Sequence, residues 1–259
     1  MTSNADRTGH PKTDQRLPDA VARGESHGNG LRAVPRRDTW SIRQPAGLAL
    51  AFAWLMALLL VTSSLGGENR RDLARDDGRS RGSPRAPVTL IEYSDFTCGF
   101  CARFFRETWP RLRAHYVDSG KVRFVYRDYP RASEGPGLEA ALAARCAGDQ
   151  GQYWQMHDRL FGSGGTMDWP EFQQHANTLG LDLDAFAACL RDAPYTREIF
   201  LDRKEGYELG FRGTPGFALV RTDGSREDRP ILLPGAFPFE VFQEQIDRLL
   251  KRGKGEREG

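Results

Sequence analysis

Two cysteines two residues apart, in Thr97-Cys98-Gly99-Phe100-Cys101, stand where an apolar stretch passes into a helical pattern, and that junction constrains the chain more than any other feature. Upstream, Val88 to Glu92 is rich in strand-favouring residues. Downstream, Phe104, Phe105, Trp109, Leu112 and Tyr116 recur at steps of three and four, which predicts a helix with one apolar face and the cysteines in its first turn. Thr97 is then expected to cap the helix, and Cys98 lies at its positive end. Disulfide exchange needs a thiolate, and the unpaired amides of a helix start stabilise negative sulfur. Cys98 is therefore the expected attacking sulfur. Cys101, about one turn on, is placed to close a small disulfide and to resolve a mixed one. Gly99 and Phe100 bring no charge and no imidazole, so the thiolate is expected to be stabilised less than in the most oxidising members of this chemistry.

The other readings of such a pair are half a zinc site or a purely structural bridge. Zinc needs further nitrogen or sulfur ligands at suitable spacing. Cys146 and Cys189 stand alone, and the five histidines form no tight cluster with them, so neither a metal nor any other cofactor is expected. The 37 basic and 35 acidic residues leave a formal charge of only +2, scattered along the chain, which gives no reason to invoke nucleic acid.

In chain order, residues 1–45 are rich in Gly, Pro, Arg, Asp and Ser, and too poor in large apolar groups to offset the entropy of ordering. A disordered tail is expected there. Residues 46–65 carry no charge over about twenty positions, enough to cross a bilayer as one transmembrane helix. Its late position favours an uncleaved anchor, although Thr62-Ser63-Ser64 could serve a peptidase. Arginines flank it on both sides, so charge does not orient it. Residues 66–85 read as a flexible polar linker, 86–251 as the folded unit and 252–259 as a charged tail.

Inside the unit, Lys121 to Tyr129 reads as a second strand, completing a βαβ unit. Residues from about 132 to 211 are helical in pattern throughout. Strand character returns at Phe217–Val220 and Ile231–Leu233 across a turn-like Thr222-Asp223-Gly224-Ser225, and a last helix carries Phe239, Phe242, Ile246, Leu249 and Leu250 inward. His157 reads as a packed helix residue in preference to a catalytic base. Trp109 and Trp154 read as core, and the scattered arginines as solvated surface.

This order of parts, with Asp95-Phe96-Thr97-Cys98-Gly99-Phe100-Cys101, the stretch Arg145-Cys146-Ala147 to Leu160-Phe161, and Gly213-Thr214-Pro215-Gly216-Phe217, resembles the DsbA-like family of thioredoxin-fold thiol:disulfide oxidoreductases over about residues 86–250. The resemblance implies an α/β thioredoxin-like fold with a helical insertion between the second strand and a cis-proline loop. It implies that Pro215 follows a cis bond and faces the cysteines, that the Thr214 backbone pairs with an extended substrate, and that Glu92 is a buried acid beneath the site, its pKa raised by desolvation. It also leads to Cys146 and Cys189 being read as a structural disulfide, with two free buried thiols as the alternative. Closing that loop of about 44 residues would add ~4 kcal/mol in the chain-entropy account.

The function expected is a membrane-anchored, extracytoplasmic oxidoreductase exchanging disulfides with exported proteins, in concert with a membrane or soluble redox partner. A reductase or isomerase, or a non-catalytic binding or chaperone-like module, are the rivals. The Gly-Phe dipeptide, where the best-known oxidases of the family have Pro-His, leaves the direction open.

Overall fold

The computed structural model describes Leu73 and residues 75–164, 166–223 and 229–258. The expected tail at 1–45 and anchor at 46–65 lie outside the described residues. Among those described, no helix is long and apolar enough to cross a membrane.

Five strands form one sheet in the order β1-β3-β2-β4-β5. β1 is Ser80–Arg81, β2 Val88–Ser94, β3 Val122–Asp128, β4 Gly216–Arg221 and β5 Ile231–Pro234. β2 and β3 are parallel and every other pairing is antiparallel. Both parallel strands are buried along their whole length, so that Glu92 on β2 and Arg123, Arg127 and Asp128 on β3 are buried along with the apolar residues between them. Val88, Leu90 and Glu92 point to one face of the sheet, and Ile91 and Tyr93 to the other.

The crossover from β2 to β3 is a helix, α1, covering 99–117. Its turns alternate between α (Gly99–Arg103 and Trp109–Leu112) and π (Phe104–Thr108 and Arg113–Val117). Pro110 has no N–H and would crowd the carbonyl four residues back, so a wider turn just ahead of it lets the helix continue. Periodicity alone places the right side chains inward: Phe104, Trp109, Leu112 and Tyr116 are all buried. The last helix, α7 (Phe239–Glu258), packs Phe242 and Ile246 beside them and runs through the expected charged tail.

Five helices separate β3 from β4: α2 (Pro136–Gly148), α3 (Tyr153–Ser163), α4 (Trp169–Thr178), α5 (Leu183–Asp192) and α6 (Thr196–Glu208). This is the helical insertion expected from the sequence. Asp168 and Asp182 cap α4 and α5 through their side chains. α6 covers the second face of the sheet at close range, because Gly206 leaves no Cβ where one would stand 2.7 Å from the ring of Tyr93.

The structure corrects the boundary expected near Ala86. Leu73 is buried, β1 pairs with β3, and the carbonyls of Leu73 and Arg75 accept hydrogen bonds from Arg127, a residue with no exposed surface. The second part of the supposed linker therefore belongs to the fold. The reading of all the arginines as solvated fails for the same reason. Arg79, Arg127 and Arg145 are buried among Asp77, Asp128 and Asp202. A composition rich in Arg and Asp resembles linker until each charge finds its opposite within the fold.

Candidate active site

β2 ends at Ser94 and β4, antiparallel to it, starts at Gly216 opposite Tyr93, so the loops after β2 and before β4 emerge at the same end of the sheet. This places Cys98 beside the Thr214–Pro215 peptide, which is cis. The Cys98 thiol donates to the Thr214 carbonyl at 3.4 Å, and the Pro215 carbonyl accepts from the Gly235 N–H.

The turn into α1 is tightened by Asp95, not by Thr97 as expected. The Asp95 carboxylate accepts from the Thr97 N–H and hydroxyl and from the Arg131 N–H, while its backbone carbonyl accepts from the Cys98 N–H. Thr97 spends its hydroxyl on this turn, and Cys98 itself becomes the residue that begins α1, in extended backbone conformation. The cysteine sulfur thus occupies the place of a capping oxygen.

Both cysteines are thiols in this structure, with 5% of Cys98 and none of Cys101 exposed. The Cys98 pKa is pulled down to about 5. The largest cause is a hydrogen bond from the Cys101 thiol; burial opposes it, and the Thr214 hydroxyl and the backbone N–H groups of Cys101 and Phe100 reinforce it. With Cys98 as a thiol the buried Thr214 hydroxyl oxygen has no hydrogen-bond partner among the described residues, which leaves it free to turn to the thiolate. Donors built into the turn thus lower the thiol pKa without an imidazole between the cysteines. Cys101 moves the other way, raised by burial and by the neighbouring Cys98 and Glu92. One sulfur is ready to attack and the other holds its proton.

Alkylation of the reduced protein by iodoacetamide should accordingly rise with pH about a midpoint near 5, on Cys98 alone. A midpoint close to the ordinary thiol value of about 8.5, or comparable labelling of Cys101, would contradict this arrangement.

Glu92 lies on the central strand, 3% exposed, opposite Tyr126 on one side and Phe217 on the other. Burial pushes its carboxyl up to about 8, with the Cys98 charge adding to the effect and Ser94 opposing it. It is close enough to Cys101 to influence that thiol. Cys146 and Cys189 are joined by a disulfide that ties α2 to α5 within the insertion. His157 is buried among the rings of Phe96, Tyr126, Trp154 and Phe161, and shares a hydrogen bond with Asp158. Trp109 is core, and Trp154 is half-buried beneath the Arg81 guanidinium. Sequence reasoning missed Asp95 and Tyr126. Asp95 was detectable as an acid shortly before the helix start, whereas Tyr126 is indistinguishable in sequence from any other strand aromatic.

The model of the family described as Thioredoxin matches residues 75–226, more than half of the chain. The chain belongs to the thioredoxin family. Among thioredoxin-fold proteins it is similar to the α-DsbA1 of Wolbachia pipientis, at 27% identity and a TM-score of 0.63 over 69% of this chain and 93% of that one. It is also similar to a thioredoxin-like oxidoreductase from Silicibacter pomeroyi, at 30% identity and a TM-score of 0.58 over 69% and 96%. BdbD from Bacillus subtilis, at 20% identity and a TM-score of 0.57 over 67% and 92%, shares the fold. The fold is the DsbA-like thiol:disulfide oxidoreductase fold, with its cysteine pair at the start of α1.

Curated relatives include the Na(+)/H(+) antiporters NhaA 1 of Salinispora arenicola, 37% identical over 144 residues, and NhaA 1 of Mycolicibacterium gilvum, 32% identical over 158. These matches take in 55% and 58% of this chain but only 21% and 25% of the relatives. The chain thus spans about a fifth to a quarter of the length of the curated relatives it matches.

Proposed function

We propose that the protein is a membrane-tethered, extracytoplasmic thiol:disulfide oxidoreductase that forms disulfides in exported proteins through Cys98 and Cys101. The observation that carries this reading is the placement of Cys98: at the head of α1, ringed by donors, beside a backbone carbonyl at Thr214 that an extended client can pair with. In the oxidising direction a client thiolate attacks the Cys98 sulfur of the Cys98–Cys101 disulfide, and Cys101 leaves with the bonding electrons and takes up a proton. A second client thiolate then attacks the client sulfur of the mixed disulfide, and Cys98 leaves as thiolate. The client loses two electrons and the cysteine pair gains them.

A stabilised Cys98 thiolate makes Cys98 a good leaving group and favours the reduced pair, which supports the oxidising direction over reduction or isomerisation. The uncharged stretch 46–65 supports tethering. The Cys146–Cys189 disulfide suits a compartment where disulfides persist. A membrane or soluble redox partner would return the pair to the disulfide.

The test is trapping in cells with the full chain. Cys101→Ser should accumulate mixed disulfides between Cys98 and exported proteins, while Cys98→Ser should trap none. Wild-type protein should be recovered mainly as the Cys98–Cys101 disulfide. Recovery as dithiol, or an absence of trapped adducts, would overturn the reading.

A further inference from the structure

Cys101 and Glu92 are both sealed from solvent, and a client docked at Cys98 and Thr214 covers the open side of the site. The proton that Cys101 needs on leaving must therefore reach it through the interior.

The structure offers a route. Directly across from Glu92 on β3 is Tyr126, with no exposed surface and a hydroxyl that has no partner among the described residues. Two residues along the same strand, and so on the same face, Asp128 keeps Oδ1 unpartnered while Arg79 and Arg145 hold Oδ2 at 3.2 and 2.7 Å. At the start of α3 the Tyr153 hydroxyl is likewise buried and unpartnered. The His157 ring bridges the two tyrosines, its centroid 4.7 Å from Tyr126 and 6.3 Å from Tyr153, and its Nε2 is a fourth unpartnered atom. Tyr153 also lines a cleft of about 180 Å³ with Asp77, Arg79, Arg145, Asp149 and Tyr195. Buried polar atoms left without partners are costly, and proteins satisfy such groups with internal water where several converge.

We infer that the hydroxyls of Tyr126 and Tyr153, with Asp128 Oδ1 and His157 Nε2, bind internal water and relay protons between Glu92 and the cleft beside Arg145. Cys101 is thereby protonated from the side of the helical insertion while the client occupies the other. The inference rests on the disulfide-exchange reading and deepens it by naming positioning residues for its proton.

When Cys101 leaves as thiolate, the Glu92 carboxyl gives it a proton; the resulting carboxylate regains one from Tyr126, which is resupplied through water and Tyr153 from solvent in the cleft. Each tyrosine receives a proton as it gives one and never ionises, in keeping with phenol pKa values held well above the ordinary value by burial. The charged or titratable groups that bear on the two phenols are Glu92, Cys101, Asp128, Asp202, Arg79 and Arg145, with the His157 ring packed between them.

The test is stopped-flow oxidation of a model peptide dithiol by the oxidised full-length protein, in H2O and in D2O across pH 5–9, with Tyr126→Phe and Tyr153→Phe. Each variant should react about tenfold more slowly, a fraction of what general acid–base catalysis contributes. Each should also show a larger solvent isotope effect and an unchanged alkylation profile of Cys98. Because each variant removes a hydroxyl that bonds to water and to no protein group, melting temperatures should change by no more than about 5 °C. Rates within twofold of wild type in both variants would overturn the relay. Slowing that comes with a lower melting temperature and an unchanged isotope effect would also overturn it, by showing a structural role. A wild-type protein that exchanges no disulfides would remove the underlying reading, and the relay with it.

Discussion

Asp202→Ala should destabilise the fold by about 3–5 kcal/mol, the range for removing one partner from a buried ion pair. Asp202 has no exposed surface and accepts hydrogen bonds from Arg75 at 2.9 Å, Arg145 at 2.8 Å and Arg79, and from the Asp128 backbone N–H. Arg127 lies 3.8 Å away. The arginines at 75, 79, 127 and 145 face the carboxylates at 77, 128, 202 and 205, so removing the central anion leaves four guanidinium groups against three carboxylates. The effect should appear as a fall of roughly 6–20 °C in melting temperature and as early proteolysis ahead of β1. Asp202→Asn should also lose stability, since it keeps the shape but not the charge. A loss below about 1 kcal/mol would mean that the cluster is wet and screened.

Glu92→Gln should act in the opposite sense, and its size should depend on pH. Glu92 titrates near 8 in the folded protein. A carboxyl raised in this way leaves stability intact below the ordinary carboxylate range. Stability is then lost progressively as pH climbs to the folded value, because the unfolded chain ionises first. Each pH unit in that window is worth about 1.4 kcal/mol. Glu92→Gln should therefore be close to neutral near pH 4 and stabilise the protein by roughly 4 kcal/mol at pH 8, while slowing disulfide exchange. The check is denaturant unfolding of wild type and variant at pH 4, 6 and 8, all in the oxidised form so that the thiols do not titrate. A difference that does not change with pH would show that Glu92 reaches solvent. The same carboxyl would then be no proton donor to Cys101.

How far the fold is legible beforehand depends on the range of the interactions. Short runs of strand-favouring residues locate β2, β3, β4 and β5, and helical periodicity locates α1, because these signals lie within a few residues of one another. The cysteine pair is legible for the same reason. The ion cluster is not: Arg79 meets Asp202 across 123 residues, and nothing near Arg79 in sequence announces its partner. Thr97 misleads because the capping preference of a threonine is general, whereas the competing Asp95 carboxylate is particular to this turn. The widened turn of α1 at Phe104–Thr108 depends on how the chain accommodates Pro110, which periodicity does not report. Tyr126 is ordinary in composition and gains its interest only from standing opposite Glu92.

The sheet's margins bear on the client handling proposed above. β1 is two residues long and β5 is four, closed by Pro234. Neither offers a stretch of free amides and carbonyls long enough to template a sticky polypeptide, and a proline cannot donate to a ladder. If clients dock here as proposed, they find little to nucleate an aggregate along its flanks, and can come and go without fusing to the domain.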